Sequence, residues 1–226
     1  MRSLRAWLAE TAEVPLEEMS AFFANRLESY EAHMAAWNEA YQKFASFLPD
    51  DCNEILDLGC GTGLELQSVF ARFPNARVTG IDMSADMLAA LSAKYGDKAL
   101  QTTCGDYFTV EFGKGSFDAV ISFQSLHHFT PQKKTALFKK ILDTLKPGGV
   151  FLNCDYFACC DEEEALLFAE CVRRRAAANI PDTDFVHFDT PLTLAHETQL
   201  LKNAGFAKAE PLESCDGAVF LLAEKK

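Results

Sequence analysis

With 33 acidic against 21 basic residues in 226, the chain carries a formal net charge of −12, a field that repels polyanions and argues against nucleic acid or an anionic membrane as partner. About half of the residues are apolar (49%), enough for a sizeable core in one globular unit with a decorating subdomain. No long apolar run follows Met1-Arg2-Ser3-Leu4-Arg5, which argues against a leader or a membrane span, and eight scattered cysteines read as reduced thiols of a cytoplasmic protein.

Residues 1–48 read as helical throughout and are expected to form an N-terminal helical cap. Pro15 suits a first turn, Glu17 and Glu18 suit the positive end of a helix, and Pro49-Asp50 breaks the run. Phe22, Phe23, Leu27, Tyr30, Met34, Trp37, Tyr41 and Phe44 recur at steps of three and four, giving one apolar face that must cover something. From residue 54 the pattern changes to short apolar strands near 54–58, 77–82, 98–103, 117–123 and 149–155, alternating with helices near 63–72, 84–95 and 131–145. Such alternation predicts an α/β fold: a doubly wound, mostly parallel sheet with helices on both faces.

Further on, residues 161–178 form a helix with acids at its start and arginines at its end, as the helix dipole favours. The aromatic stretch Ile180–Thr190 follows, and residues 157–190 are read as an insertion beside the site. Thr193 and Gly205 cap a helix over 194–204, and two closing strands, near 206–212 and 218–223, are spaced for a hairpin. The main domain is taken as 49–226. The adjacent Cys159 and Cys160, with Cys154 nearby, read as small apolar residues, because no further ligand completes a metal spacing; no metal is expected.

Four segments carry chemistry. Glu54-Ile55-Leu56-Asp57-Leu58-Gly59-Cys60-Gly61-Thr62-Gly63 is a buried strand entering a glycine loop before a helix, where glycine lets backbone turn sharply and approach a ligand. Leu64 stands where a dinucleotide fingerprint has its last glycine, which lowers the reading as an NAD-dependent oxidoreductase. Asp82 ends the second strand about twenty residues later, placed to hold two ribose hydroxyls or to cap the next helix. Asp106 and Tyr107 follow the third strand. Residues 117–129 end in the polar cluster Phe123-Gln124-Ser125-Leu126-His127-His128.

Together these segments resemble the class I S-adenosylmethionine (SAM)-dependent methyltransferases of the broad small-molecule type, over about residues 54–223. Leu56–Gly63 resembles that family's first motif, and Leu145-Lys146-Pro147-Gly148-Gly149 its turn into strand five. The resemblance implies a Rossmann-like methyltransferase fold of seven strands with a reversed last strand, SAM as cofactor, and transfer of a methyl group to a small-molecule acceptor. It implies that Gly59, Cys60 and Gly61 lie under the methionine part of SAM and that Asp57 orients their loop or meets the amino group. Asp82 would hold the ribose, while Met83, Asp106 and Tyr107 frame the adenine and Phe123 or Gln124 meets the amino group. Arg26 and Tyr30 are candidates for the methionine carboxylate. A non-catalytic SAM-binding module has the same motifs and stays open.

A catalytic base is needed only if the acceptor must lose a proton. His127 and Asp155 are the chosen candidates, with His128, His187 and Asp189 as others; one of the paired histidines is expected to be a packed core residue, and His127 the one in the pocket. Phe157, Phe185, His187 and Phe188 are expected to wall the acceptor pocket. A monomer and a homodimer are both compatible with the sequence.

Overall fold

In the computed structural model, which describes residues 1–226, the apolar runs become seven strands of a single sheet. They are β1 (Glu54–Leu58), β2 (Arg77–Asp82), β3 (Leu100–Cys104), β4 (Phe117–Phe123), β5 (Leu145–Asp155), β6 (Lys208–Cys215) and β7 (Ala218–Glu224), in the order β3-β2-β1-β4-β5-β7-β6. The first five run parallel; β7 runs antiparallel to both β5 and β6. The reversal is set by the two-residue turn Asp216-Gly217, both at positive φ (53° and 82°), which matches the twist of a tight hairpin.

Nine helices accompany the sheet: α1 (Arg2–Glu10), α2 (Met19–Ala24), α3 (Leu27–Met34), α4 (Asn38–Phe44), α5 (Leu66–Arg72), α6 (Ala85–Lys94), α7 (Pro131–Thr144), α8 (Asp161–Ala177) and α9 (Leu194–Ala204). Strand alternation divides the core in two. Ile55, Val78, Ala119, Ile121 and Leu152 pack with Phe44 of α4 and Val69 of α5 on one face; Leu56, Ile81, Val120 and Phe151 pack with Phe138 and Ile141 of α7 and Leu201 of α9 on the other. Caps act where the sequence placed them: the Thr193 hydroxyl accepts from His196 N, and Gly205 closes α9 at φ 112°. No helix is long and apolar enough to cross a membrane.

The N-terminal segment departs from a continuous helix. Residues 11–18 leave helical geometry, and Arg26 interrupts α2 and α3. Tertiary pairing overrides local propensity here: Met19 N donates to Phe185 O and His187 N to Glu17 O, tying this stretch to the segment after α8. The apolar face is thereby split. Tyr41 and Phe44 enter the main core, whereas Phe22, Phe23 and Tyr30 remain at the carboxyl edge of the sheet.

Candidate functional site

Strand order reverses between β1 and β4, and in open parallel sheets the crevice beyond the carboxyl ends at such a point is where ligands bind. Both strands end there in unusual backbone. Gly59, Gly61 and Gly63 follow β1 at φ between 48° and 73°, and Gln124 follows β4 at φ 50° without being glycine. A residue held in that region costs about 1–3 kcal/mol, so it persists only where its surroundings hold it; Gln124 N donates to Cys154 O at 2.8 Å. Its buried side-chain Nε2 has no hydrogen-bond partner.

The crevice is lined by Gly59, Gly61, Asp82, Met83, Asp106, Tyr107, Phe123, Gln124 and Ser125 from the sheet edge. Met19, Phe23 and Tyr30 lean over it from α2 and α3, leaving only about 70 Å³ of free space. Asp82 is the hub of the loop: one carboxylate oxygen accepts from Gly61 N at 2.9 Å and the other from Ser84 N at 2.8 Å. Burial raises its pKa, while these backbone N–H groups act in the opposite sense. Asp57 and Glu65 lie buried beneath the loop. Burial pushes the Asp57 carboxyl well up, and the charge of Glu65 adds to it; burial raises Glu65 as well.

A second chamber of about 680 Å³ opens off the crevice, sharing Phe23, Tyr30, Gln124 and His128 with it. Phe22, Trp37 and Tyr156 supply its aromatic walls, and His33, His127, His128 and His187 line it, four of the chain's five histidines. His127 and His128 lie in a short 3₁₀ turn, Leu126–His128, directly beyond Gln124. His127 Nδ1 is 2.6 Å from Asp155 Oδ1 at the end of β5. Asp155 is fixed by Leu126 N at 3.0 Å and by Tyr156 N at 2.8 Å. Burial alone would raise the Asp155 pKa, but His127 draws it below the usual carboxylate range, so the carboxylate is the acceptor and Nδ1 carries the hydrogen. Burial likewise opposes charge on His127, but Asp155 holds that pKa above its ordinary value. Burial lowers His128, with His127 adding, and brings His187 down to about 4. Asp189 completes the cluster: Oδ1 lies 3.3 Å from His128 Nδ1 and 3.6 Å from His127 Nε2.

The fold thus brings together Tyr30, Gly59, Gly61, Asp82, Met83, Asp106, Tyr107, Phe123 and Gln124 in one crevice, and His127 with Asp155 beside it. Asp57 and Cys60 lie behind the loop, with Cys60 Sγ against Gly80. Arg26 does not reach the crevice. Its guanidinium is held by Glu17 at 2.6 Å and over the Phe22 ring, which turns it to the rim of the second chamber. Both paired histidines, not one, line the chamber. Of the four expected wall residues only His187 does so: Phe157 and Phe185 are partly buried against the core cluster that includes Phe138 of α7, and Phe188 packs on α1 through Leu8. That Phe22 would meet Tyr156 and the histidines in one chamber was not legible, because nothing local in the sequence says which loops meet.

Residues 55–149 match the family model described as a methyltransferase domain. The chain is 31% identical over 166 residues to the O-methyltransferase cnsE of Penicillium expansum, covering 70% of this chain and 53% of that protein. It is 28% identical over 134 residues to the malonyl-[acyl-carrier protein] O-methyltransferase of Priestia megaterium, covering 58% of this chain and 48% of the relative. The chain spans about half the length of these curated relatives. Among solved structures, a putative O-methyltransferase from Nostoc punctiforme matches with a TM-score of 0.70 at 20% identity, over 94% of this chain and 63% of that one. Human N-acetylserotonin methyltransferase, solved in complex with SAM, matches at 0.67 and 21%, over 92% and 59%. The family model, these relatives and the shared fold together support a class I SAM-dependent methyltransferase.

Proposed function

We propose that this chain transfers a methyl group from SAM to a small molecule held in the second chamber. The observation that carries the reading is the junction of the two cavities at Phe23, Tyr30, Gln124 and His128, where a cofactor end and an acceptor can meet. The donor set fits SAM. Asp82 offers a carboxylate already oriented by two backbone N–H groups; Met83, Tyr107 and Asp106 offer two apolar walls and an acceptor for an adenine; the unpartnered Gln124 amide offers a donor beside the glycine loop. Gly59, Cys60 and Gly61 would pass under the methionine part, with Asp57 bracing them from behind. Tyr30 and Phe123 would close the remaining sides. When bound, SAM supplies an electrophilic methyl on a sulfonium, a cation that suits an aromatic and acidic lining.

The protein's own work is orientation and exclusion of water. Holding two reactants in line can contribute about 7–11 kcal/mol in favourable systems. The cap of residues 1–48 and the insertion 157–190 would close over the reactants. Asp155 fixes the ring of His127, and the Nε2 so presented, beside His128 and Asp189, is where an ionisable acceptor group would be held and relieved of its proton. The test is turnover of labelled SAM against a metabolite extract, total RNA, DNA and protein. Label in a small-molecule fraction with release of S-adenosylhomocysteine supports the reading; label mainly in RNA or protein overturns it.

A further inference from the structure

We propose that His127, His128 and Asp189 form a binding site for one divalent transition-metal ion at the floor of the acceptor chamber. The three ligand atoms, one from each side chain, lie within 4.8 Å of one another. Two of the separations, 3.3 Å and 3.6 Å, are longer than good hydrogen bonds. They are close to the size for a shared ion: bonds of about 2.0–2.2 Å to nitrogen and carboxylate oxygen put neighbouring ligands of a tetrahedral or octahedral ion roughly 3.0–3.4 Å apart, which 3.3 Å meets and 3.6 Å exceeds slightly.

Independent observations point to a ligand here. His128 Nδ1 and Asp189 Oδ1, both shielded from solvent, face each other at 3.3 Å without a well-formed hydrogen bond, an arrangement that a shared ion would satisfy. His127 is committed through Nδ1 to Asp155 at 2.6 Å, which leaves Nε2 as the free ring position facing Asp189. A carboxylate behind a ligating imidazole fixes its tautomer and increases its basicity, the usual support of a metal-bound histidine. The two halves of the site are also joined by backbone, since Thr190 N donates to His127 O at 2.8 Å.

Two imidazoles and one carboxylate suit zinc, cobalt, nickel or ferrous ions, and suit magnesium or calcium poorly, because those prefer all-oxygen shells. Three protein ligands leave coordination positions open, and this cluster borders the chamber shared with Tyr156, Gln124 and His187. The ion would select acceptors that present an ionisable oxygen. With the ion bound, His127 Nε2 is a ligand and the ion takes over the deprotonation assigned to that nitrogen above: an acceptor hydroxyl bound to the ion would release its proton to solvent. Only this last role rests on the function proposed above; the binding does not.

The test uses the full chain, stripped of metal and titrated with Co²⁺ as a spectroscopic probe and then with Zn²⁺ by calorimetry. One equivalent per chain with a nitrogen/oxygen-type cobalt spectrum is expected. His128→Ala and Asp189→Asn should each weaken binding more than tenfold, and Asp155→Asn by 10–100-fold. Thermal melting and S-adenosylhomocysteine affinity, measured on each variant, separate loss of the site from loss of the fold or of the cofactor crevice. Exposed Asp86→Asn should leave metal binding unchanged. The double variant Cys159→Ser/Cys160→Ser removes the neighbouring thiol pair, whose sulfurs lie 3.9 Å apart. A thiolate charge-transfer band that vanishes with that variant, binding indifferent to His128→Ala and Asp189→Asn, or no binding at all would each overturn the proposal.

Discussion

Gly59 sits at φ 73°, and a methyl group on it would lie 2.1 Å from Ser125 Oγ. Backbone strain and collision act together, so Gly59→Ala is expected to abolish S-adenosylhomocysteine binding in calorimetry and to lower the melting temperature. Its neighbour across the crevice, Asp82, has two structural bonds to spend as well as any ligand bonds. Hydrogen bonds to a charged group contribute about 1.5–3 kcal/mol each, so Asp82→Ala should weaken the ligand at least tenfold, with Asp82→Asn retaining part of the affinity. A change under threefold in a folded Asp82→Ala protein would mean that the carboxylate serves the loop alone. The sequence showed these residues because strand, glycine spacing and acid lie close along the chain. It did not show the approach of Ser125 to Gly59, which crosses from β4 to β1, nor the diversion of Arg26 to Glu17, which depends on where residues 11–18 leave the helix.

Between elements, α7 and α9 are joined by a fully buried ion pair, Lys134 Nζ to Glu197 Oε2 at 2.7 Å. Removing one partner strands the other without solvent. Lys134→Met is therefore expected to cost about 3–5 kcal/mol in chemical denaturation, while Lys134→Met combined with Glu197→Leu recovers most of it. Equal stability of the single and double variants would contradict this. The N-terminal helices divide by the same criterion of burial. Phe44 of α4 is fully buried, so Phe44→Ala should cost roughly 3–5 kcal/mol. Phe22 of α2 is half-buried at the chamber, and its replacement should cost far less stability while altering acceptor binding. Deleting residues 1–47 would remove both, and is expected to yield an unfolded chain instead of a soluble core. The heptad-like spacing of apolar residues over 22–44 could not reveal this division, because a helix face records only that it is covered, not by what.

At the scale of the whole molecule, a charge of −12 and the acids Asp57, Glu65 and Asp82 around one loop favour a cationic ligand over a neutral one. SAM carries a sulfonium that S-adenosylhomocysteine lacks, so raising salt from 0.05 to about 0.5 M, which shortens the screening length severalfold, should weaken SAM more than S-adenosylhomocysteine. Identical salt slopes would show that only contacts within the crevice count. Met19, Phe23 and Tyr30 of α2 and α3 line the crevice, so slowed amide exchange in residues 19–34 is expected when a nucleoside fills it. What the sequence alone determined was the alternation of strand and helix, the parallel sheet, the closing hairpin and the glycine loop with its acid, all of which rest on periodicity and on residues near one another in the chain. What only the tertiary structure decided was the acceptor side. His127 and His128 follow β4, Asp155 ends β5, His187 and Asp189 follow α8, and Phe22 and Trp37 precede the sheet altogether. No local pattern specifies such a meeting; it arises because loops of unrelated sequence are brought to the same edge by strand order and by the pairing of residues 17–19 with 185–187.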